Sequence, residues 1–456
     1  MRPVAVPEEL RAADAVLADR LGLDQLVARA SFALASAARV LLGSVAGRRI
    51  VVWAGPGLNG QDGRGAVRTL TRRGAKVQVV EVGAATLPTC DLVLDCAFGT
   101  GLRRPVTPPR LSGAPLVLAC DLPSGIDAVT GEVLGDALRA DATVTFGALK
   151  PGLLQGIGRD RAGRVTLAPL GLEVATTCQL LDDDDLTTLA PVLHHRHKWS
   201  AAVGVLAGSP TMRGAGHLVA DGALRSGAGM VRLAGESGPI EAVEVPRPPA
   251  SSFSELAVVF ERCRALVVGP GLGQTPGQAE GLAALLRATV QPVVLDADGL
   301  TSFGDLAAVG RALRHRANPA SVVLTPHDGE VAKLTGHAPG PDRLAAARAL
   351  AEATGATVLL KGPTTAVAQP TAAGGQSYLV TSGPPSLATA GTGDVLAGIL
   401  GALLASPAEL GDAARRAALA AQLHGAAARR GPGVGLRATD LPDLVAQVLS
   451  GADHGR

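Results

Sequence analysis

The chain has 456 residues, 47% hydrophobic and 18% charged, which suits two or three cored domains and excludes a disordered chain. Lys and Arg total 42 against 40 Asp and Glu, a net charge of +2, so a general nucleic-acid surface is excluded. Aromatics at 2% leave no platform for stacking bases. Cys90, Cys96, Cys120, Cys178 and Cys263 form no CxxC pair. They read as reduced thiols of a cytoplasmic protein. No charged segment followed by an apolar run marks a signal peptide. The apolar run Val395–Ala408 falls short of the roughly 20 residues of a membrane span, so no membrane partner is expected.

The first 45 residues have helical periodicity. From Arg49 onward, short β-branched runs predict strands at Ile50–Ala54, Val77–Val80, Leu92–Leu94, Leu116–Cys120, Thr143–Phe146 and Val165–Leu167. Helix-like stretches alternate with them, and Gly63–Arg73 is the first. That alternation predicts a parallel sheet with helices on both faces. The rhythm breaks at Glu173–Ser200, and a boundary near residue 180 gives domains 1–180 and 181–456. The acidic run Asp182–Asp185 reads as a solvated linker or a helix start. The cluster His194, His195 and His197 has no carboxylate or Cys spaced to complete a metal site. Strands resume at Val203–Ala207, Met230–Leu233, Leu266–Val268, Val293–Leu295, Val322–Leu324 and Val358–Leu360. Pro246–Pro249 reads as a surface loop, and the Ala-rich stretch from Val395 onward as helices. No repeat relates the two halves.

Polar clusters follow the strands of the first half. Gly55-Pro56-Gly57-Leu58-Asn59-Gly60 is formally GxGxxG, with an acid, Glu81, closing the next strand. Alone it fits a dinucleotide fold and a dehydrogenase. Asp95–Leu102, Asp121–Asp127 and Phe146–Gly152 stand at three further strand ends. In an open parallel sheet, all four clusters face one crevice. Gly-rich turns there offer N–H groups to phosphate. Asn59, Asp95 and Ser124 offer hard oxygen ligands, and Asp121 or Asp62 an acid or base.

Taken together, these clusters and Thr145–Leu153 resemble the epimerase domain of the NAD(P)H-hydrate repair enzymes, across about residues 49–172. The resemblance implies interconversion of the R and S epimers of hydrated NADH or NADPH. It implies substrate contacts from Leu58, Asn59, Gly60, Gln61 and Asp62, from Gly99, Thr100, Gly101, Leu102, Arg103, Arg104 and Pro105, and from Asp121, which is also the catalytic candidate. It implies a potassium ion on Asn59, Asp95 and Ser124. Leu58 and Gln61 stand where the family usually has Asn and Gly.

In the second half, Gly391-Thr392-Gly393-Asp394 leads into an apolar helix. Two glycines beside a helix N-terminus make an anion hole. Asp394 stands where it can take a proton from an attacking hydroxyl. No GxxxxGK[ST] occurs. Gly269–Gly273, Asp296–Leu300, Thr325–Glu330 and Lys361–Thr365 again follow strands. With His197-Lys198 and Ala223–Gly229, this set resembles the ribokinase-like, ADP-dependent NAD(P)H-hydrate dehydratases, across about residues 190–450. The resemblance implies contacts to the S hydrate from Ala223, Gly273, His327 and Asp394, with Asp394 as the base. It implies nucleotide contacts from Lys361, Gly362, Pro363, Thr364, Thr365 and Gly393. Magnesium on the phosphates of ADP and assembly of identical subunits are implied as well. Asp328 stands where Pro is common, and Pro384-Pro385-Ser386-Leu387 replaces a frequent Asn-Pro-Gly-Met.

The expected architecture is therefore α/β: an N-terminal Rossmann-like three-layer domain, then a ribokinase-like α/β domain. The expected activity is epimerisation of NAD(P)H hydrate and ADP-dependent dehydration of its S form, yielding NAD(P)H, AMP and phosphate. Two alternatives stay open. One is a dehydratase with a non-catalytic N-terminal binding module. The other is an ATP-dependent small-molecule kinase, which would leave a stable phosphorylated product.

Overall fold

The computed structural model describes residues 1–189 and 197–453. Two compact units form, Arg2–Cys178 and Gln179–Arg456. In the first unit, helices α1 (Pro7–Leu21) and α2 (Leu23–Leu42) precede strand β1 (Arg49–Ala54). Helix α3 (Leu58–Arg72) and strands β2 (Lys76–Glu81), β3 (Leu92–Cys96), β4 (Leu116–Cys120), β5 (Ala142–Phe146) and β6 (Arg164–Ala168) follow. The sheet order is β2-β1-β3-β4-β5-β6, parallel throughout. The central strands are buried on both faces, so they read as unbroken apolar runs.

Helix α3 starts at Leu58, five residues before the expected Gly63. Gly57 is its N-cap, and the Gln61 N–H reaches the Gly57 carbonyl at 3.1 Å. Half of the glycine-rich stretch is thus the first helical turn. Gly55 shows why this turn needs glycine: a Cβ there would lie 1.8 Å from the Ala97 carbonyl oxygen. By length and composition α2 is apolar enough to cross a membrane. Here its Ala30, Leu34, Ala35 and Ala38 are buried in one core cluster with Leu70 of α3.

In the second unit, β7 (Ala202–Leu206), α4 (Arg213–Arg225), β8 (Met230–Ala234), β9 (Val243–Glu244) and β10 (Ala265–Val268) come first. Next are α5 (Gln278–Ala288), β11 (Val293–Leu295), β12 (Val322–Leu324), α6 (Asp328–Thr335) and α7 (Arg343–Thr354). β13 (Thr357–Leu360), β14 (Thr365–Ala368), β15 (Ser377–Val380), α8 (Thr392–Ala405), α9 (Ala413–Arg430) and α10 (Leu441–Asp453) follow. Neighbouring strands run β15-β14-β13-β12-β11-β10-β7-β8-β9. Pairing is antiparallel only where β14 meets β13 and β15.

Helix α8 is apolar all round because it is core: Val395, Ile399, Ala402 and Leu403 are fully buried. It lies tight on α4, where a Cβ at Gly398 would stand 2.1 Å from the Val219 carbonyl oxygen. The acidic run is a helix start: Asp182 caps a short 3₁₀ turn at Asp183–Thr188, and Asp183 pairs with Arg429 at 2.6 Å. His194 and His195 lie outside the described residues. His197 caps another 3₁₀ turn, accepting from the Trp199 N–H.

Candidate active sites

In the first unit, the carboxyl ends of β1, β3, β4 and β5 border a cleft of about 660 Å³. Asp121 follows β4 with φ of 69°, a left-handed backbone uncommon for a non-glycine residue. That bend returns its carboxylate onto the end of β5. Its Oδ1 accepts from the Thr145 hydroxyl and the Phe146 N–H, each at 3.1 Å, and pairs with the Lys150 ammonium. Asp62 projects from α3 into the same cleft. Burial above all, then the charges of Asp121 and Asp14, pushes its pKa up to about 8. Burial and Asp121 also raise Asp14, which arrives from α1. Near neutral pH the cleft therefore presents a protonated carboxyl, Asp62, near Asp121, which is paired with Lys150.

Beside it, fully buried Asp95 accepts from Ser124 twice, from the hydroxyl at 2.5 Å and the N–H at 2.9 Å. The Asn59 amide reaches the carbonyls of Cys120 at 2.8 Å and Phe98 at 3.3 Å. Burial lifts Asp95 to about 6 against the lowering effect of the Ser124 and Ala97 bonds. Carboxylate, hydroxyl and carbonyl oxygens converge here, and turning the Asn59 amide over adds one more. This oxygen set with a single carboxylate fits a monovalent hard cation.

Leu58, Asn59, Gly99, Thr100, Gly101, Leu102, Arg103 and Arg104 line the cleft. Gly60, Gln61 and Pro105 do not form part of its wall. On α3, residues 58 and 62 share a face, while 60 and 61 turn away from it. Gln61 is accordingly exposed, and Gly60 is buried against the Gly55 carbonyl. Leu58 keeps 48% of its surface exposed at the cleft. Sequence reasoning missed Asp14, whose helix is far from any motif. It noted Lys150 only as part of a strand-end cluster.

In the second unit, Asp394 sits in the first turn of α8, whose N-cap Gly391 has φ of 88°. A left-handed N-cap turns the backbone sharply into the helix, and first-turn N–H groups have no partner within it. Burial, reinforced by Asp296 and opposed by Lys361, holds Asp394 up at about 7. Lys361 leaves β13 and pairs with Asp296 at 2.8 Å, with Glu330 3.9 Å away. Burial alone would lower its pKa, but Asp296 and Glu330 more than offset this and raise it. A Cβ at Gly393 would stand 3.7 Å from the Lys361 ammonium. The Asp394 carboxyl and the Lys361 ammonium thus influence each other at the helix N-terminus.

Arg343, missed in the sequence, straps the loop after β13. Its guanidinium donates to the carbonyls of Lys361 at 2.6 Å and Thr364 at 3.0 Å, and to Asp328 at 3.1 Å. Asp328 is thereby explained: where Pro is common, this chain has the partner of Arg343. Gly362 and Pro363 are exposed, Thr365 is partly so, and Thr364 is buried. Gly273 is held by its N–H to Asp298 at 2.8 Å. His327 caps α6, its Nδ1 accepting from the N–H of Gly329 at 3.0 Å, and its ring is exposed. Ala223, on α4, is fully buried, with its backbone nitrogen packed against Gly398 of α8. Buried His424, on α9, bonds the Thr392 backbone beneath the glycine turn, and burial lowers it to about 4. Pro385–Leu387 forms a 3₁₀ turn, and the Leu387 carbonyl accepts from the Thr392 hydroxyl at 2.7 Å.

Residues 203–448 match the family described as NAD(P)H-hydrate dehydratase. Residues 23–88 and 81–152 match the family described as YjeF-related protein N-terminus. A bifunctional NAD(P)H-hydrate repair enzyme of Mycobacterium tuberculosis (strain CDC 1551 / Oshkosh) is 39% identical over 91% of this chain and 91% of its own. A ribokinase-like superfamily protein from Enterococcus faecalis V583, 22% identical, overlays with a TM-score of 0.50 on 61% of this chain and 98% of its own. That likeness is one of fold. An ADP/ATP-dependent NAD(P)H-hydrate dehydratase from Bacillus subtilis, co-crystallised with ATP and Mg²⁺, is 29% identical with a TM-score of 0.48, covering 59% of this chain and 97% of its own.

Proposed function

Because the chain belongs to the bifunctional NAD(P)H-hydrate repair enzymes, we propose that two domains, 1–180 and 181–456, carry out two linked repair steps. The first interconverts the R and S hydrates of NADH or NADPH. The second removes water from the S hydrate at the expense of ADP. The chemistry follows from the substrate. Hydration of an enamine protonates the β-carbon and puts the hydroxyl on the carbon next to nitrogen. Expelling that hydroxyl as hydroxide at neutral pH is unfavourable, so it must first become a better leaving group.

Asp394 takes the proton of the hydroxyl, whose oxygen attacks the β-phosphorus of ADP and releases AMP. The turn Gly391–Gly393 and the first N–H groups of α8 face the charge on the transferring group. Lys361 offsets the charge of the nucleotide, with Thr364, Thr365, Gly362, Pro363 and Gly393 around it. Phosphate then departs as the nitrogen lone pair forms C=N⁺. Loss of the neighbouring C–H proton restores the ring double bond. Gly273 and the exposed ring of His327 face the hydrate. Magnesium, carried by the phosphates and water, neutralises charge when bound, since it favours phosphate oxygens over a protein cage. In the first unit, Asn59, Asp95 and Ser124 would hold potassium, which fixes the loop after β3 and supplies positive charge beside the substrate. We place the enzyme in the cytoplasm, consistent with its five buried cysteines, and as an assembly of identical subunits.

The observation that carries this reading is the placement of Asp394, in the first turn of α8, within the electrostatic reach of the Lys361 ammonium. Its test is stoichiometry on S hydrate with ADP and magnesium. One AMP and one phosphate per reduced nicotinamide regained is expected, with Asp394→Asn at least 10³-fold slower, on the order expected for losing a general base. A stable phosphorylated product instead would make the second unit a kinase.

A further inference from the structure

The epimerase reading leaves open what divides the labour among three carboxyls in one cleft. The geometry points to Lys150: we propose that it is a positioning residue whose ammonium fixes Asp121 as proton acceptor, opposite Asp62 as proton donor. The proposal rests on the epimerase reading of the first unit.

Lys150 is 1% exposed, and its ammonium has three partners: Asp121 Oδ1, the Thr145 hydroxyl and the Phe146 carbonyl, the last two at 2.9 Å. Three hydrogens on three fixed acceptors leave the ammonium no freedom. All of the Asp121 side-chain contacts described above converge on Oδ1. Oδ2 is therefore the oxygen left for substrate, and the side chain is 11% exposed. The groups that face Asp121 are Lys150, Asp62 from α3, Asp14 from α1 and the Cys120 thiol. Arg11, Arg103 and Arg104 line the same cleft. Without an interior cation, neighbouring carboxyls share protons, and neither is reliably a base. Lys150 breaks that symmetry because it touches one of them alone.

The stereocentre to be inverted bears a hydroxyl next to a ring nitrogen. Asp62 donates its proton to the departing hydroxyl, which leaves as water while the nitrogen lone pair forms C=N⁺. Water adds to the opposite face, the π electrons return to nitrogen, and Asp121 accepts the proton of the incoming water. One water is lost and one gained, and one proton passes from Asp62 to Asp121. The enzyme is then poised for the reverse epimer, or resets by exchange with solvent.

The test uses the full chain, with pure R hydrate and loss of R followed chirally across pH. Lys150→Met is expected to lower kcat about 100-fold near pH 7, within the range for a misdirected base, with KM within threefold. Its acidic limb moves to higher pH, so part of the rate returns as pH rises. Combining Lys150→Met with Asp121→Asn is expected to add no further loss, because one acts through the other. Lys150→Gln, which keeps a donor for the Phe146 carbonyl, serves beside it, and turnover of S hydrate by the second unit reports that the chain is folded. An unmoved pH profile, a change confined to KM, or losses that multiply in the double variant would overturn the role of Lys150. A wild type that does not epimerise overturns the epimerase reading itself.

Discussion

Asp62 is buried and Asp394 half-buried, and both carboxyls are held near the neutral range, at about 8 and about 7, yet the two proposed reactions need opposite forms of them. Asp394 must be ionised to accept a proton, so dehydration is expected to rise as pH climbs through about 7. Asp62 must be protonated to donate one, so epimerisation is expected to fall as pH passes about 8. The same burial weakens the fold. A carboxyl whose pKa is raised in the native state holds a proton that the unfolded chain has released, so stability falls between about pH 4 and pH 7–8. Asp394→Asn is therefore expected to melt later than wild type at pH 8 while losing turnover, the usual opposition of stability and activity. Equal or lower melting would mean that the burial of Asp394 is compensated in a way these contacts omit.

At the scale of elements, both sites are built by strand ends and bent backbones. Among the described residues, Asp121, Leu170 and Ala297 are the non-glycine positions with left-handed φ, and each lies in or beside a site. The central strands were legible because strands buried on both faces must be continuous apolar runs, and all twelve expected runs, the more exposed β2 and β6 included, lie on observed strands, whereas β9, β14 and β15 were not foreseen. The strand-end clusters were legible for the same topological reason. The partners arriving from elsewhere were not. Lys150 and Asp121 are 29 residues apart, and Arg343 reaches the loop at Lys361 from the start of another helix. Helix faces also escaped: α3 begins inside the glycine motif, which turns Gln61 outward. Arg343→Ala is expected to raise KM for ADP about 10-fold, the order of one charge-assisted bond pair lost from the loop, with KM for hydrate little changed. Equal rises in both constants would indicate general loosening instead.

At the scale of the molecule, two units with separate cores carry separate chemistries. The first has its own six-stranded parallel sheet, and the second a ribokinase-like sheet with α8 in its core. Neither proposed reaction borrows a side chain from the other unit. Losses at Asp121 and Asp394 should then stay with the reaction each serves. The direct test is recovery of the near-ultraviolet absorbance of reduced nicotinamide from a mixed R and S hydrate preparation, with ADP and magnesium and spontaneous epimerisation subtracted. Wild type is expected to recover all of it, Asp121→Asn to stop at the S fraction, and Asp394→Asn to recover none. Complete recovery by Asp121→Asn, or enzymatic recovery by Asp394→Asn within about 10³-fold of the wild-type rate, would contradict the assignment of the two reactions to these two sites.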